Sequence, residues 1–206
     1  MASRTILGGA NGSGKSTIYE KLHLEGVFVN ADLAAREISP DNPESVSGAA
    51  GRRVLTRLSR LIAATEDFTY ETTLSSHQSL NLMARATAAG YSVNLAFVVL
   101  RDLELNVLRV AQRVMRGGHS IPEHVIRRRY ESSFRRLPRA MSLARQVIVY
   151  DNSNPVELET LIEILDGSIV SSALNESNPL HGIIAECVGS ALNLAAVAAF
   201  KAPRPP

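Results

Sequence analysis

Gly9, Gly14, Lys15 and Ser16 stand at the spacing G-x-x-x-x-G-K-[ST], inside the run "GGANGSGKST" at residues 8–17. Such a run turns backbone N–H groups inward onto anionic oxygens. It needs residues without a Cβ that accept positive φ, and Gly8, Gly9, Gly12 and Gly14 supply them. Ala10, Asn11, Ser13 and Thr17 complete the loop. A helix starting at its end aims unpaired N–H groups and its dipole at the anion. Lys15 is then placed to bridge the β- and γ-phosphates of ATP, and Ser16 to hold a magnesium ion.

Two carboxylates stand where an acceptor would lie. Asp32 closes the run "GVFVNAD" (26–32), and Glu71 lies near the close of "DFTYETT" (67–73). In a doubly wound sheet the ligand sits beyond the carboxyl ends of the strands, so both acids face the loop. Phosphoryl transfer to an alcohol needs a carboxylate that accepts or orients the hydroxyl proton. Asp32 is assigned that catalytic role and a contact to the acceptor. Glu71, with Thr73, holds acceptor hydroxyls or reaches magnesium through water. Asp32 also suits the N-cap of a helix over "LAAREI".

From Arg109 to Arg145 the chain is crowded with arginines, offset there by Glu123 and Glu131. Arg109, Arg113 and Arg116 share one helical face. Beside them "GGHSIP" gives two flexible glycines and a proline restart, the pattern of a lid over residues 109–129 that brings cations onto phosphates. Arg113 and Arg116 are expected to act in catalysis, and Arg128, Arg129 and His119 to touch substrate. The remaining arginines form a solvated basic face. Asp151 and Asn152 read as turn residues or contacts near the adenine.

Short β-branched runs alternate with longer helical patterns, as in a parallel α/β sheet. Strands are expected at 4–9, 26–32, 67–73, 91–100 and 146–152. Helices are expected at 15–24, 43–64, 76–89, 102–116 and 122–143, with a short one from Pro155 to Ile164. The fold class is therefore α/β of the P-loop NTPase type: a doubly wound, mainly parallel five-stranded sheet with helices on both faces. A kinase domain over 1–165 is expected to precede a C-terminal extension over 166–206. That extension holds a plausible strand, a loop and an apolar helix over about 179–200.

Hydrophobic residues make up 45% and charged residues 20% of the 206, the norm for a globular chain with a real core. The single cysteine, Cys187, excludes an intramolecular disulfide and any Cys-based metal cluster. The opening "MASRTILGG" lacks the features of a signal peptide, so a cytoplasmic location is expected. The run "CVGSALNLAAVAAF" (187–200) is too short to span a bilayer and reads as a packed helix, with a homodimer contact as one use. Sparse aromatic residues argue against nucleic acid as a partner.

In their order along the chain, "GGANGSGKST", "NAD" (30–32), "YETTLS" (70–75), "RVAQRVMRGGHSIP" (109–122) and "RRRY" (127–130) resemble the zeta-toxin family of P-loop kinases, in its compact stand-alone branch. The resemblance covers roughly residues 4–155. It implies ATP- and magnesium-dependent phosphorylation of a sugar hydroxyl of UDP-N-acetylglucosamine. It further implies Lys15 and Ser16 for ATP and metal, Asp32 as base, Glu71 and Thr73 at the acceptor, lid arginines on phosphates, and an antitoxin or inhibitor protein as partner. Since the chain opens directly on its first strand, no fused antitoxin domain is expected before it. Two alternatives stand beside this reading. One is a kinase for another acceptor, such as a different sugar, a nucleoside or an antibiotic. The other is an ATP-binding regulatory module whose output is a partner contact.

Overall fold

A computed structural model describes residues 3–118, 120–203 and 205. Seven strands form one sheet in the order β2-β3-β1-β4-β5-β6-β7. β1 (Ser3–Gly8), β2 (Val27–Val29), β3 (Phe68–Thr72), β4 (Ser92–Val99) and β5 (Gln146–Asp151) are parallel to their neighbours in this set. These are the five strands read from the sequence. Two more continue the sheet in antiparallel fashion, β6 (Glu159–Leu165) and β7 (Ser168–Ser172).

β6 corrects the helix expected after Pro155, which ends instead in a strand paired along β5. It also pairs with β7 across the break expected near residue 166. Asp166 (φ 47°) and Gly167 (φ 76°) are the two loop residues between β6 and β7, and both have positive φ. Asp-Gly in that geometry matches the right-handed twist of a hairpin, so residues on either side of 166 pair in one sheet.

Eight α-helices flank the sheet among the described residues: α1 (Lys15–Lys21), α2 (Ala31–Ile38), α3 (Ser47–Ala63), α4 (His77–Ala88), α5 (Leu103–Met115), α6 (Glu123–Leu143), α7 (Pro179–Leu192) and α8 (Val197–Phe200). They divide unevenly. Along β1, Ile6 joins a large core with residues of α2, α3, α4, α6 and α7, while Leu7 joins a small one with Ile18 of α1. Alternate strand residues point to opposite faces, so these are the two sides of the sheet. Leu95, Phe97 and Val99 of β4 also belong to the large core, beside Ala96 and Val98 in the small one. β4 is therefore buried on both faces, as its unbroken apolar run requires.

The apolar C-terminal helix is two helices. Asn193 takes the left-handed conformation (φ 56°) and ends α7, its N–H bonded to the Gly189 carbonyl. Leu180, Ile184, Ala185 and Val188 of α7 are buried in the large core. Pro138 removes the N–H that would have met the Phe134 carbonyl inside α6. The Cys187 thiol reaches that same carbonyl at 3.8 Å, and burial pushes this thiol up to about 11. Among the described residues no helix is long and apolar enough to cross a membrane.

Candidate active site

The phosphate loop leaves β1 at Gly8 and enters α1 through Gly14, whose φ of 90° is left-handed. A Cβ at Gly14 would strike the Asn152 side chain. That close approach serves a bond: Asn152 Nδ2, just beyond β5, donates to the Ser13 carbonyl at 2.9 Å, with both residues buried. On the other flank Asn106 of α5 donates from Nδ2 to the Asn11 carbonyl at 2.8 Å. The α5 backbone passes so near that Gly12 has no room for a Cβ. Arg129 of α6 donates from Nη1 to Asn11 Oδ1 at 3.1 Å.

Lys15 is almost wholly buried. Its Nζ donates to the Ala10 carbonyl at 3.0 Å and lies 3.9 Å from Glu71 Oε1. Burial pushes the ammonium pKa down; the charges of Glu71 and then Asp32 oppose that, while Arg113 and Arg129 add to it. Ser16 Oγ donates to Glu71 Oε2 at 2.9 Å. Strand register explains this meeting, since β1 pairs Leu7 with Glu71 and so sets the carboxylate beside the root of the loop.

Asp32 lies past the strand that was expected to end on it. β2 stops at Val29, and Asn30 is the N-cap of α2, its Oδ1 accepting from the N–H groups of Asp32 (2.6 Å) and Leu33 (3.0 Å). Asp32 is thus an exposed first-turn residue, and its capping alternative is ruled out. Its negative charge is felt at both Lys15 and Arg129.

Thr73 follows β3, with its hydroxyl 2.8 Å from that of Ser75. Between them Leu74 is fully buried at φ 56°, a conformation that costs a bulky residue energy. Its N–H donates to Thr72 Oγ1 at 3.1 Å, and that hydroxyl lies 2.9 Å from Ser79 Oγ. The turn is fixed from within, and it sets Thr73 and Ser75 beyond the end of β3.

The arginines separate into groups. Arg113 and Arg129 are half-buried and bear electrostatically on Lys15. Arg116 and Arg128 are exposed. Arg127 is structural: it bonds Glu104 at 2.7 and 2.9 Å and Glu123 at 2.8 Å, clamping α5 to α6. Arg109 donates to the Ser153 carbonyl at 3.2 Å, and burial lowers its pKa against the pull of Asp151. Gly118 gives Arg113 its space, as a Cβ there would strike the arginine. His119 lies outside the described residues.

Three residues that hold this site together carry no such role in the sequence reading: Asn106, Asn152 and Arg109. A signal for two of them exists, because Asn106 and Arg109 fall on one face of α5 with Arg113, at i, i+3 and i+7. Magnesium prefers hard oxygen donors and keeps several waters. The Ser16 hydroxyl and Glu71 carboxylate are such donors, and among the described residues no group of three His, Cys, Asp or Glu forms another metal cage.

The similarities of the chain agree with this geometry. A protein of Haemophilus influenzae described as uncharacterized is 32% identical over 123 residues, which are 59% of this chain and 88% of that protein. Among solved structures, the AvrRxo1-ORF1:-ORF2 complex with ATP superposes with a TM-score of 0.61 at 16% identity over 84% of this chain. The present chain spans 61% of that chain's length. A structure from the PezAT chromosomal toxin–antitoxin system of Streptococcus pneumoniae superposes with a TM-score of 0.58 at 14% identity, covering 93% of this chain and 87% of that one. Residues 3–159 match the family model described as Zeta toxin. With a phosphate loop between β1 and α1, Asp32 just beyond β2 and Glu71 near the end of β3, the chain belongs to the zeta toxin family and is a P-loop small-molecule kinase.

Proposed function

We propose that the chain transfers the γ-phosphoryl group of ATP to a hydroxyl of a nucleotide sugar, with UDP-N-acetylglucosamine as the leading acceptor. The observation that carries this is the placing of two carboxylates about Lys15: Glu71 engaged with Ser16, and Asp32 exposed but electrostatically coupled to Lys15 and Arg129. A switch or motor that only positions water has less use for the second acid. Residues 9–17 hold the phosphates through backbone N–H groups, the α1 dipole and Lys15. Asp32 takes the proton of the acceptor hydroxyl as its oxygen bonds to the γ-phosphorus and the bond to the β–γ bridging oxygen breaks. Arg113 and Arg129 offset the charge that develops. Arg116 and Arg128, exposed in this structure, come into play only with lid movement. Thr73 and Glu71 serve the acceptor side, and His119 is assigned there from the sequence alone. Ser16 and Glu71 would hold magnesium, which neutralises phosphate oxygens when bound.

The toxin–antitoxin setting of the PezAT structure supports an antitoxin as protein partner. A homodimer through the C-terminal helices would have exposed Ile183 and Leu194 to use. A cytoplasmic location fits acceptors of this kind. Replacing Asp32 by Asn tests the assignment of the base. Transfer should fall at least 100-fold, while ATP affinity measured by calorimetry stays within about threefold. Transfer that survives the change would remove Asp32 from the mechanism.

A further inference from the structure

Asn11 is tied to both lid helices, through two different parts of the residue. Its main-chain carbonyl accepts from Asn106 of α5 at 2.8 Å, and its side-chain Oδ1 accepts from Arg129 of α6 at 3.1 Å. The two helices are themselves joined by Arg127, which bonds Glu104 of α5 and Glu123 of α6. One position of the phosphate loop therefore meets both α5 and α6.

Arg129 meets a neutral amide here. Burial pushes its pKa down, the charge of Arg128 adds to that, and Asp32 opposes it. A partly desolvated guanidinium gains most from an anionic acceptor, to which its hydrogen bonds are roughly twice as strong as to a neutral oxygen. Among the described residues its one hydrogen bond is to Asn11, through a single Nη1. The fork of an arginine carries five N–H donors in a fixed plane. A bond at Nη1 restrains the guanidinium and leaves the other donors for a further acceptor.

We propose that Asn11 is a positioning residue: its amide oxygen orients Arg129 at the phosphate loop, so that a bound triphosphate meets a guanidinium already aimed and draws on α6 directly. The inference rests on the nucleotide-binding reading of the loop and adds the residue that couples loop to lid. In this role the Asn11 side chain acts through Arg129.

Because the two links use different atoms, substitution separates them. Asn11→Ala removes the amide and keeps the main-chain carbonyl, hence the α5 link. The test is a double-mutant cycle of Asn11→Ala and Arg129→Ala, read as calorimetric affinity for a non-hydrolysable ATP analogue with magnesium, beside a Lys15→Ala control. Asn11→Ala should weaken binding about fivefold and Arg129→Ala about tenfold, as expected for an ion-paired hydrogen bond and its orienting group. The double variant should bind no more weakly than Arg129→Ala alone. Amide exchange on the nucleotide-free protein gives a second readout. Asn11→Ala should speed exchange in the first turns of α6, residues 123–130, and leave α5 unchanged.

If Asn11→Ala costs the same factor with and without Arg129, the residue merely shapes the loop and the inference is overturned. If α5 and α6 loosen together, the separation of the two links is wrong and it is overturned likewise. Binding by the wild type that is lost in Lys15→Ala establishes the nucleotide site whichever way the cycle falls. Absence of binding by the wild type overturns both readings together.

Discussion

Glu71 and Ser16 share a hydrogen bond of 2.9 Å, from the serine hydroxyl to Oε2, while the other carboxylate oxygen lies 3.9 Å from Lys15 Nζ. One acid thus reaches both Lys15 and Ser16 of the phosphate loop. The sequence reading left Glu71 between the acceptor and the metal, and this contact favours the metal side. Replacing it by Gln keeps the shape and removes the charge. In a magnesium titration of nucleotide binding, the midpoint should rise about tenfold, since an ionised ligand to a hard cation is replaced by a neutral one. A midpoint unchanged by Glu71→Gln would return the residue to the acceptor alone.

Lys15 is a buried cation with a lowered pKa, so it costs stability while charged. Lys15→Met should raise the melting temperature of the nucleotide-free protein by about 2–4 °C, equivalent to about 1 kcal/mol in a chain of this size, and abolish stabilisation by ATP. The penalty on the wild type is full below the folded-state pKa. It shrinks as pH rises from there towards the unfolded value of 10.5, because the folded state then sheds the proton first. The gap in melting temperature between variant and wild type should therefore narrow in alkaline buffer. A gap that widens with pH would show that Lys15 is not destabilising when charged.

His181 gives the opposite end of the pH scale. Buried on α7, it accepts the Asn175 N–H at Nδ1 (2.9 Å), and burial lowers its pKa from 6.5 despite the charges of Glu159 and Asp151. The unfolded chain then binds the proton more readily, so stability falls as pH drops below 6.5. His181→Asn keeps an acceptor and removes the titration. Between pH 7 and 5.5 the melting temperature of this variant should fall less than that of the wild type. Equal losses would place the acid sensitivity elsewhere.

How much of this was legible depended on whether a residue works locally or through contacts distant in the chain. The loop at 8–17 and the helix after it follow from local geometry, and both stand where the sequence placed them. Glu71 stands out in the sequence because a carboxylate ending an apolar strand has little structural motive. Asn152 reads in the sequence as a turn residue or a contact near the adenine, because its bond to Ser13 crosses 139 positions that no local pattern spans. The hairpin at Asp166-Gly167 was missed for a different reason. "ETLIEIL" carries apolar residues at both helical and strand spacings, and the Asp-Gly signal that decides between them lies just beyond it. The kinked end of the C-terminal helix rests on Asn193 alone, a residue tolerant of the left-handed conformation but not required to adopt it.

The most direct measurement is mass-spectrometric detection of phosphoryl transfer. Purified protein with ATP and magnesium would be offered a panel of nucleotide sugars, nucleosides and aminoglycosides, with Lys15→Ala run in parallel. The account predicts one added phosphate on UDP-N-acetylglucosamine with the wild type and none with the variant. Transfer to a different panel member would keep the kinase and discard that acceptor. ATP binding with no phosphate gained by any member of the panel would contradict the proposed transfer and favour a regulatory module.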